Sequence, residues 1–194
     1  AAPCQLLEPL ADEAPPAGLL DSHAAGALPS WEDEGVIDVA RDFGATPEFG
    51  DGEDEDDDAD RIQRAIDAAA AGSGRFGKPV FIPRGRFTIS KPLLLKPGTR
   101  LIGAGKHTSV LQLSKTWRHG DAPAVDTADS DEALVVMSDI AILGYPCARL
   151  LRVRSGQTIV RDVQTETIKW RQFRAGEPRF PYVEFSGGAG GRIF

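Results

Sequence analysis

From Pro79 onward the chain never again offers ten residues with a helical period. Short β-prone runs recur instead, each stopped by glycine, proline or polar turn chemistry: Pro79–Ile82, Arg86–Ile89, Pro92–Leu95, Thr99–Ile102 and Ser109–Leu113, then Ala133–Met137, Ile140–Leu143, Leu150–Val153, Thr158–Val163 and Tyr182–Phe185. With no crossover helices between them, β-α-β units are disfavoured, and a sandwich, a barrel or a solenoid of stacked coils remains. Spacing favours the solenoid. Val80, Leu101, Val136 and Ile159 open comparable strands separated by 21, 35 and 23 residues, and coils of about 20 to 25 residues are a stacked-coil period. The longest interval contains the polar stretch Ser114–Glu132, which reads as an insertion. An antiparallel sandwich is the competing architecture.

One helix precedes the strands. Ile62, Ala65, Ile66 and Ala69 fall at i, i+3, i+4 and i+7 within Asp60–Ala71, with acids crowding the first turn and Gly72, Ser73 and Gly74 after the last. A solenoid exposes an apolar layer and unpaired strand edges at its open end, and an amphipathic helix of this kind suits that end as a cover. Gly44, Gly50 and Gly52 allow tight turns in the loop Asp42–Asp58 before it, and Asp57 or Asp58 is expected to cap it. A short strand, Val36–Val39, precedes that loop. Residues 1–35 carry no Lys or Arg and no clean period. They read as an extended arm, with a short helix near Leu6–Leu10, whose Leu6, Leu7, Leu10, Leu19, Leu20 and Leu28 give it apolar points to dock on a surface. The division is therefore an arm at 1–35 and the N-terminal part of a solenoid domain at 36–194.

Net charge is −7, but residues 1–60 hold 18 acids and one base, Arg41, while the rest holds 11 acids and 21 bases. The basic part has no run of five basic residues, so no nucleic-acid partner is expected. The apolar-rich stretch Ala133–Leu143 is broken by Ser138 and Asp139, which argues against a membrane span. Cys4 and Cys147 are too few for a zinc site, and a disulfide and two free thiols stay equally open. His23, His107 and His119 share no ligand spacing, and the acids of Asp51–Asp60 fail the EF-hand pattern because its sixth and twelfth positions, counted from Asp54, are Ala59 and Ala65. Neither a metal nor a cofactor is expected.

Residues 39–113 carry several motifs in order: Val39-Ala40-Arg41-Asp42-Phe43-Gly44-Ala45, Gly50-Asp51-Gly52, Asp57-Asp58, Ile62-Gln63-Arg64-Ala65-Ile66-Asp67, Pro79-Val80-Phe81-Ile82-Pro83-Arg84-Gly85-Arg86-Phe87 and Thr99-Arg100-Leu101-Ile102-Gly103-Ala104-Gly105. This series resembles the start of the pectate-lyase-like right-handed parallel β-helix superfamily. The resemblance implies an all-β fold with a first strand, an Asp-rich loop, a capping helix and the first coils. Further on, Ala122-Pro123-Ala124-Val125, Met137-Ser138-Asp139-Ile140-Ala141-Ile142-Leu143, Ile159-Val160-Arg161-Asp162-Val163 and Ser186-Gly187-Gly188-Ala189-Gly190-Gly191-Arg192 look like glycoside hydrolase family 55 domains, which act on β-1,3-glucan. That likeness implies a secreted or envelope-exposed protein, a polysaccharide partner, and a catalytic acid in a second β-helix absent from this chain. The chain alone is then expected to be inactive, with further sequence or a second chain stacking on its C-terminal edge.

Glycosidases need two facing carboxyl groups. Asp139, Asp162, Glu166, Glu177 and Glu184 are the candidates, although Asp139 and Asp162 recur at one place in successive repeats, as turn residues do. A lyase acting on a uronate polymer would instead use cations such as Arg149, Arg152, Arg154, Arg161, Lys169 and Arg171; strand alternation sends Arg152 and Arg154 outward, where charged residues are also ordinary. A non-catalytic tailspike-like or adhesin solenoid is the third reading. Sugar-binding candidates are Trp117 and His119, set among polar residues and expected exposed, and Trp170 and Arg171, with core burial of Trp170 an equal reading.

Overall fold

The computed structural model describes residues 31–32, 34–49, 56–70, 76–130, 134–145, 148–167, 182–186 and 192–193. Strand β1 (Ile37–Asp38) runs into a one-turn helix α1 (Val39–Phe43), then α2 (Ala59–Ala70). The remaining strands are β2 (Pro79–Ile82), β3 (Gly85–Ile89), β4 (Leu93–Leu95), β5 (Arg100–Gly103), β6 (Ser109–Leu113), β7 (Val125–Thr127), β8 (Leu134–Gly144), β9 (Leu151–Val153), β10 (Gln157–Thr167), β11 (Val183–Phe185) and β12 (Arg192–Ile193).

Every ladder between these strands is parallel, which removes the antiparallel sandwich from consideration. Among the described residues an eight-stranded main sheet stacks β1-β2-β5-β8-β10-β12, with β6 beside the second half of β8 and β3 beside β6, and a smaller sheet stacks β4, β7, β9 and β11. The chain thus passes repeatedly through the same three positions: β2, β3, β4; then β5, β6, β7; then the two halves of β8 and β9; then the two halves of β10 and β11. The expected equivalence of Val80, Leu101, Val136 and Ile159 holds to within one residue, since Val80 pairs Leu101, Leu101 pairs Met137 and Val136 pairs Ile159. The fold is mostly β, built of parallel strands in curled sheets with few helices.

Alternation explains the core. Phe87, Leu111 and Ile142 stack in register, as do Leu93, Val125 and Leu151, all but fully buried. Removing such side chains from water is the main stabilising term, about 1.5–3 kcal/mol for each. Helix α2 lies against this stack with Ile62, Ala65, Ile66 and Ala69 buried, as its period predicts. The flank of the buried face of α2 closes a strand edge: the Gln63 side-chain amide accepts from Leu94 N–H (2.8 Å) and donates to Leu94 C=O (3.1 Å), standing in for a neighbouring strand. Asp57 caps the helix by accepting from Ala59 N–H at 3.1 Å.

Three local expectations are corrected. The first strand is two residues, because the Asp38 carboxylate accepts from the N–H groups of Ala40 and Arg41 and starts α1, which Gly44 ends at φ 73°. The two strands expected either side of Ser138-Asp139 are one, β8, bent where Asp139 takes φ 58°. Asp162, the equivalent residue of β10, takes φ 49°, so both aspartates turn their strands at the same place in successive repeats. Finally, Ser114–Glu132 is no insertion: it contains β7, which pairs β4 and β9.

Candidate functional site

The outward row of the smaller sheet carries a ladder of charge. The register aligns Leu94, Asp126, Arg152 and Glu184 on successive strands, and alternation sends these side chains away from the core filled by Val125, Leu151 and Val153. Asp126 is gripped twice. Arg152 donates through Nε (3.1 Å) and Nη2 (2.5 Å), and Arg154 through Nε (3.1 Å) and Nη2 (2.8 Å), so one carboxylate holds two forked guanidinium groups. Those hydrogen bonds, with Asp126 as the chief cause, raise the Arg152 pKa above its ordinary value. Arg149 Nε stands 2.6 Å from Glu184 Oε2, a charge contact without hydrogen-bond alignment, and Asp129 lies 3.6 Å from Arg154 Nη1. The expectation of Arg152 and Arg154 on one outward face is met; both are about a quarter exposed.

Sequence reasoning missed Asp126, because β7 was hidden in a polar stretch. A signal was available in Ala124-Val125, an apolar pair that supplies both an inward side chain and a backbone partner for β4: Leu93 N–H donates to Ala124 C=O at 2.8 Å.

The loop between β6 and β7 adjoins this face. Arg149 Nη1 donates to Asp121 C=O at 2.9 Å, tying the loop to the start of β9. Trp117, expected exposed, is only 8% exposed and belongs to the core cluster. Polar neighbours misled there: Arg118, His119 and Gly120 point to water while the indole turns inward. His119 is exposed, meets Trp117 edge-on at 4.8 Å between ring centroids, and its Nε2 lies 2.8 Å from Ser90 C=O. A carbonyl only accepts, so that nitrogen carries the proton, and in the neutral ring Nδ1 is left as an acceptor. Trp170 and Arg171 lie outside the described residues, as do Lys169 and Glu177. In chain order they fall between β10 and β11, the same connection of the coil that holds Trp117 and His119 between β6 and β7. Among the described residues, no group of three His, Cys, Asp or Glu side chains is placed to hold a metal ion.

The chain is a module of parallel strands in curled sheets that carries an outward row of arginines and carboxylates. More specifically, residues 36–171 match the family described as rhamnogalacturonase A/epimerase, pectate lyase-like, and the chain belongs to it. It is 40% identical over 105 residues to mannuronan C5-epimerase AlgE3 of Azotobacter vinelandii, covering 48% of this chain and 5% of that protein. It is 26% identical over 138 residues to the pre-neck appendage protein of Bacillus phage B103, covering 64% and 15%. Among solved structures it is similar to ORF18 of Geobacillus virus E2, with a TM-score of 0.49, 22% identity, and coverage of 66% of this chain and 25% of that one. The chain therefore spans only 5% and 15% of the two curated relatives. No helix among the described residues is long and apolar enough to cross a membrane.

Proposed function

We propose that this chain is a polysaccharide-acting module, part of a right-handed parallel β-helix, whose smaller sheet offers Arg149, Arg152 and Arg154 to the carboxylates of a uronate polymer. The observation that carries the reading is the doubly held Asp126: two guanidinium forks are fixed side by side on an outer strand face, both already oriented toward a carboxylate. Neutralising a uronate carboxylate is what proton removal beside it requires, since negative charge develops there. His119 at one edge, with Nδ1 free to accept, is the sugar-facing group of the neighbouring loop. Membership of the pectate-lyase-like family and the likeness to a mannuronan epimerase support this substrate class. Hydrolysis of β-1,3-glucan is the finer alternative implied by sequence resemblance. For it, Asp126 and Glu184 stand two strand spacings apart, about 10 Å, just beyond the carboxyl separation of inverting glycosidases. A tailspike-like binding role is supported by the phage appendage relative.

Affinity electrophoresis of the purified chain through gels containing alginate, polygalacturonate or laminarin tests the proposal. Retardation by the two uronates, weakened by salt and lost when Arg152 and Arg154 are both changed to alanine, is the expected result. Retardation by laminarin alone would replace the uronate reading with the glucan one, and retardation by none would leave these arginines without the role proposed.

A further inference from the structure

The main sheet buries apolar side chains on the wrong side. Val80, Leu101, Met137 and Val160 point into the core, so their neighbours along the strands point outward. Outward residues of a solvated sheet face are normally polar, yet here the register brings together Phe81 and Ile102 in one row and Val136 and Ile159 in the next. Ile102 is 2% exposed, Val136 is 0% exposed, and Leu134, further along the same face of β8, is nearly as buried; none of the three belongs to the core cluster. The described part of the chain begins on this face: the ring of Trp31 stacks on Phe81 with centroids 6.1 Å apart and planes 29° apart.

We propose that the outer face of the main sheet is a docking surface for the segment of this chain that precedes Trp31. The segment is long enough. From Phe81 on β2 to Ile159 on β10 is three strand spacings, about 15 Å, which some five extended residues span, and 30 residues lead into Trp31. Its chemistry matches the apolar strip, because those residues contain six leucines and no Lys or Arg. Leu28, three residues before Trp31, is the nearest leucine to enter the apolar strip beside Phe81. A strap of this kind shields a parallel sheet that must otherwise be covered by something else.

Hydrogen exchange of the full chain, read by mass spectrometry, tests the docking. Peptides from residues 5–30 should exchange about tenfold or more slowly than their intrinsic rates. Phe81→Ala, at a half-buried position, and Ile102→Thr, a milder change at a buried one, should each return the segment towards intrinsic rates while peptides covering β4, β7 and β9 keep their protection. That control separates release of the segment from global unfolding. Intrinsic exchange of residues 5–30 in the unsubstituted chain overturns the proposal, as does protection that survives both substitutions. Protection that rises with protein concentration alongside a dimer in light scattering also overturns it, since a second copy would then be the occupant.

Discussion

Replacing Ile62 by aspartate asks whether α2 closes the end of the coil stack. Ile62 is fully buried in a cluster that includes Val39, Ile66 and Val80. Truncating such a side chain to alanine costs about 2–5 kcal/mol, the transfer term plus the cavity left behind. Aspartate adds a second cost, because a carboxyl there must take a proton or draw in water; a pKa raised by about three units corresponds to about 4 kcal/mol at neutral pH. The total approaches the whole stability of an ordinary domain, about 5–15 kcal/mol. The sign of the pH dependence separates the two substitutions. A carboxyl whose folded pKa is raised penalises the fold least below its unfolded value near 4, and the penalty grows by about 1.4 kcal/mol per pH unit until the folded pKa is passed. Urea titrations followed by circular dichroism at pH 4.5 and 7 should therefore show Ile62→Asp losing stability as pH rises relative to the unsubstituted chain, with Ile62→Ala shifted equally at both. An Ile62→Asp cost below about 1 kcal/mol with no pH dependence would refute burial of this face.

Gln63→Ala should cost about 1 kcal/mol, read from the urea midpoint, because water replaces only part of the amide pairing with the half-exposed Leu94 edge. Asp57 and Asp58 should titrate with opposite signs. Burial alone would raise Asp57, but hydrogen bonds from the Ser90 hydroxyl and N–H and from Ala59 N–H hold it below its ordinary value, so the stability it contributes is present above about pH 4 and fades as pH falls through the folded pKa. Asp58 is raised by burial, against hydrogen bonds from Thr46 N–H and Arg61; its contribution is complete below about pH 4 and fades as pH rises through the folded pKa. Stability curves of Asp57→Asn and Asp58→Asn, each subtracted from the unsubstituted chain, should slope oppositely, the Asp57 contribution rising with pH below about pH 4 and the Asp58 contribution falling with pH above it. The 194-residue chain by itself should yield neither unsaturated product nor reducing ends from alginate, pectate or laminarin; turnover of any of them would place a complete catalytic centre within it.

What the sequence made legible follows from how each signal arises. Period-2 runs bounded by turn residues marked most strands, because burying one face of a short strand leaves an alternation that needs no tertiary knowledge. The α2 helix was legible for the matching reason at period 3.6. β7 escaped because it is three residues long and only Val125 of them is apolar, with Thr127 buried by stacking rather than by hydrophobicity. The break expected at Ser138-Asp139 was a bend: an aspartate in the left-handed region turns the chain without interrupting its pairing to β10, and residue type alone does not distinguish the two. Trp117 shows the limit of reading exposure from neighbours, since a loop of charged residues still turns one large ring into the core.

The charged ladder was half legible, its arginines visible and their partner not, and the missing half changes what the site can do. In a parallel stack identical positions lie directly above one another, so like charges on successive coils repel and opposite ones fix the register. Asp126, Arg152 and Glu184 alternate in sign along that line, and a strand slipped by one residue would lose the alternation and turn its apolar neighbours outward. The same pairing restrains binding. A uronate carboxylate reaching Arg152 or Arg154 competes with Asp126, so each contact is an exchange of partners and adds little affinity by itself. On the proposed function, the module would hold a polymer through several such exchanges along consecutive sugars and would bind a single uronate weakly. Asp126→Asn separates these roles: it loosens the register and frees both guanidinium groups together, so the folded fraction should fall while uronate retention per folded molecule rises.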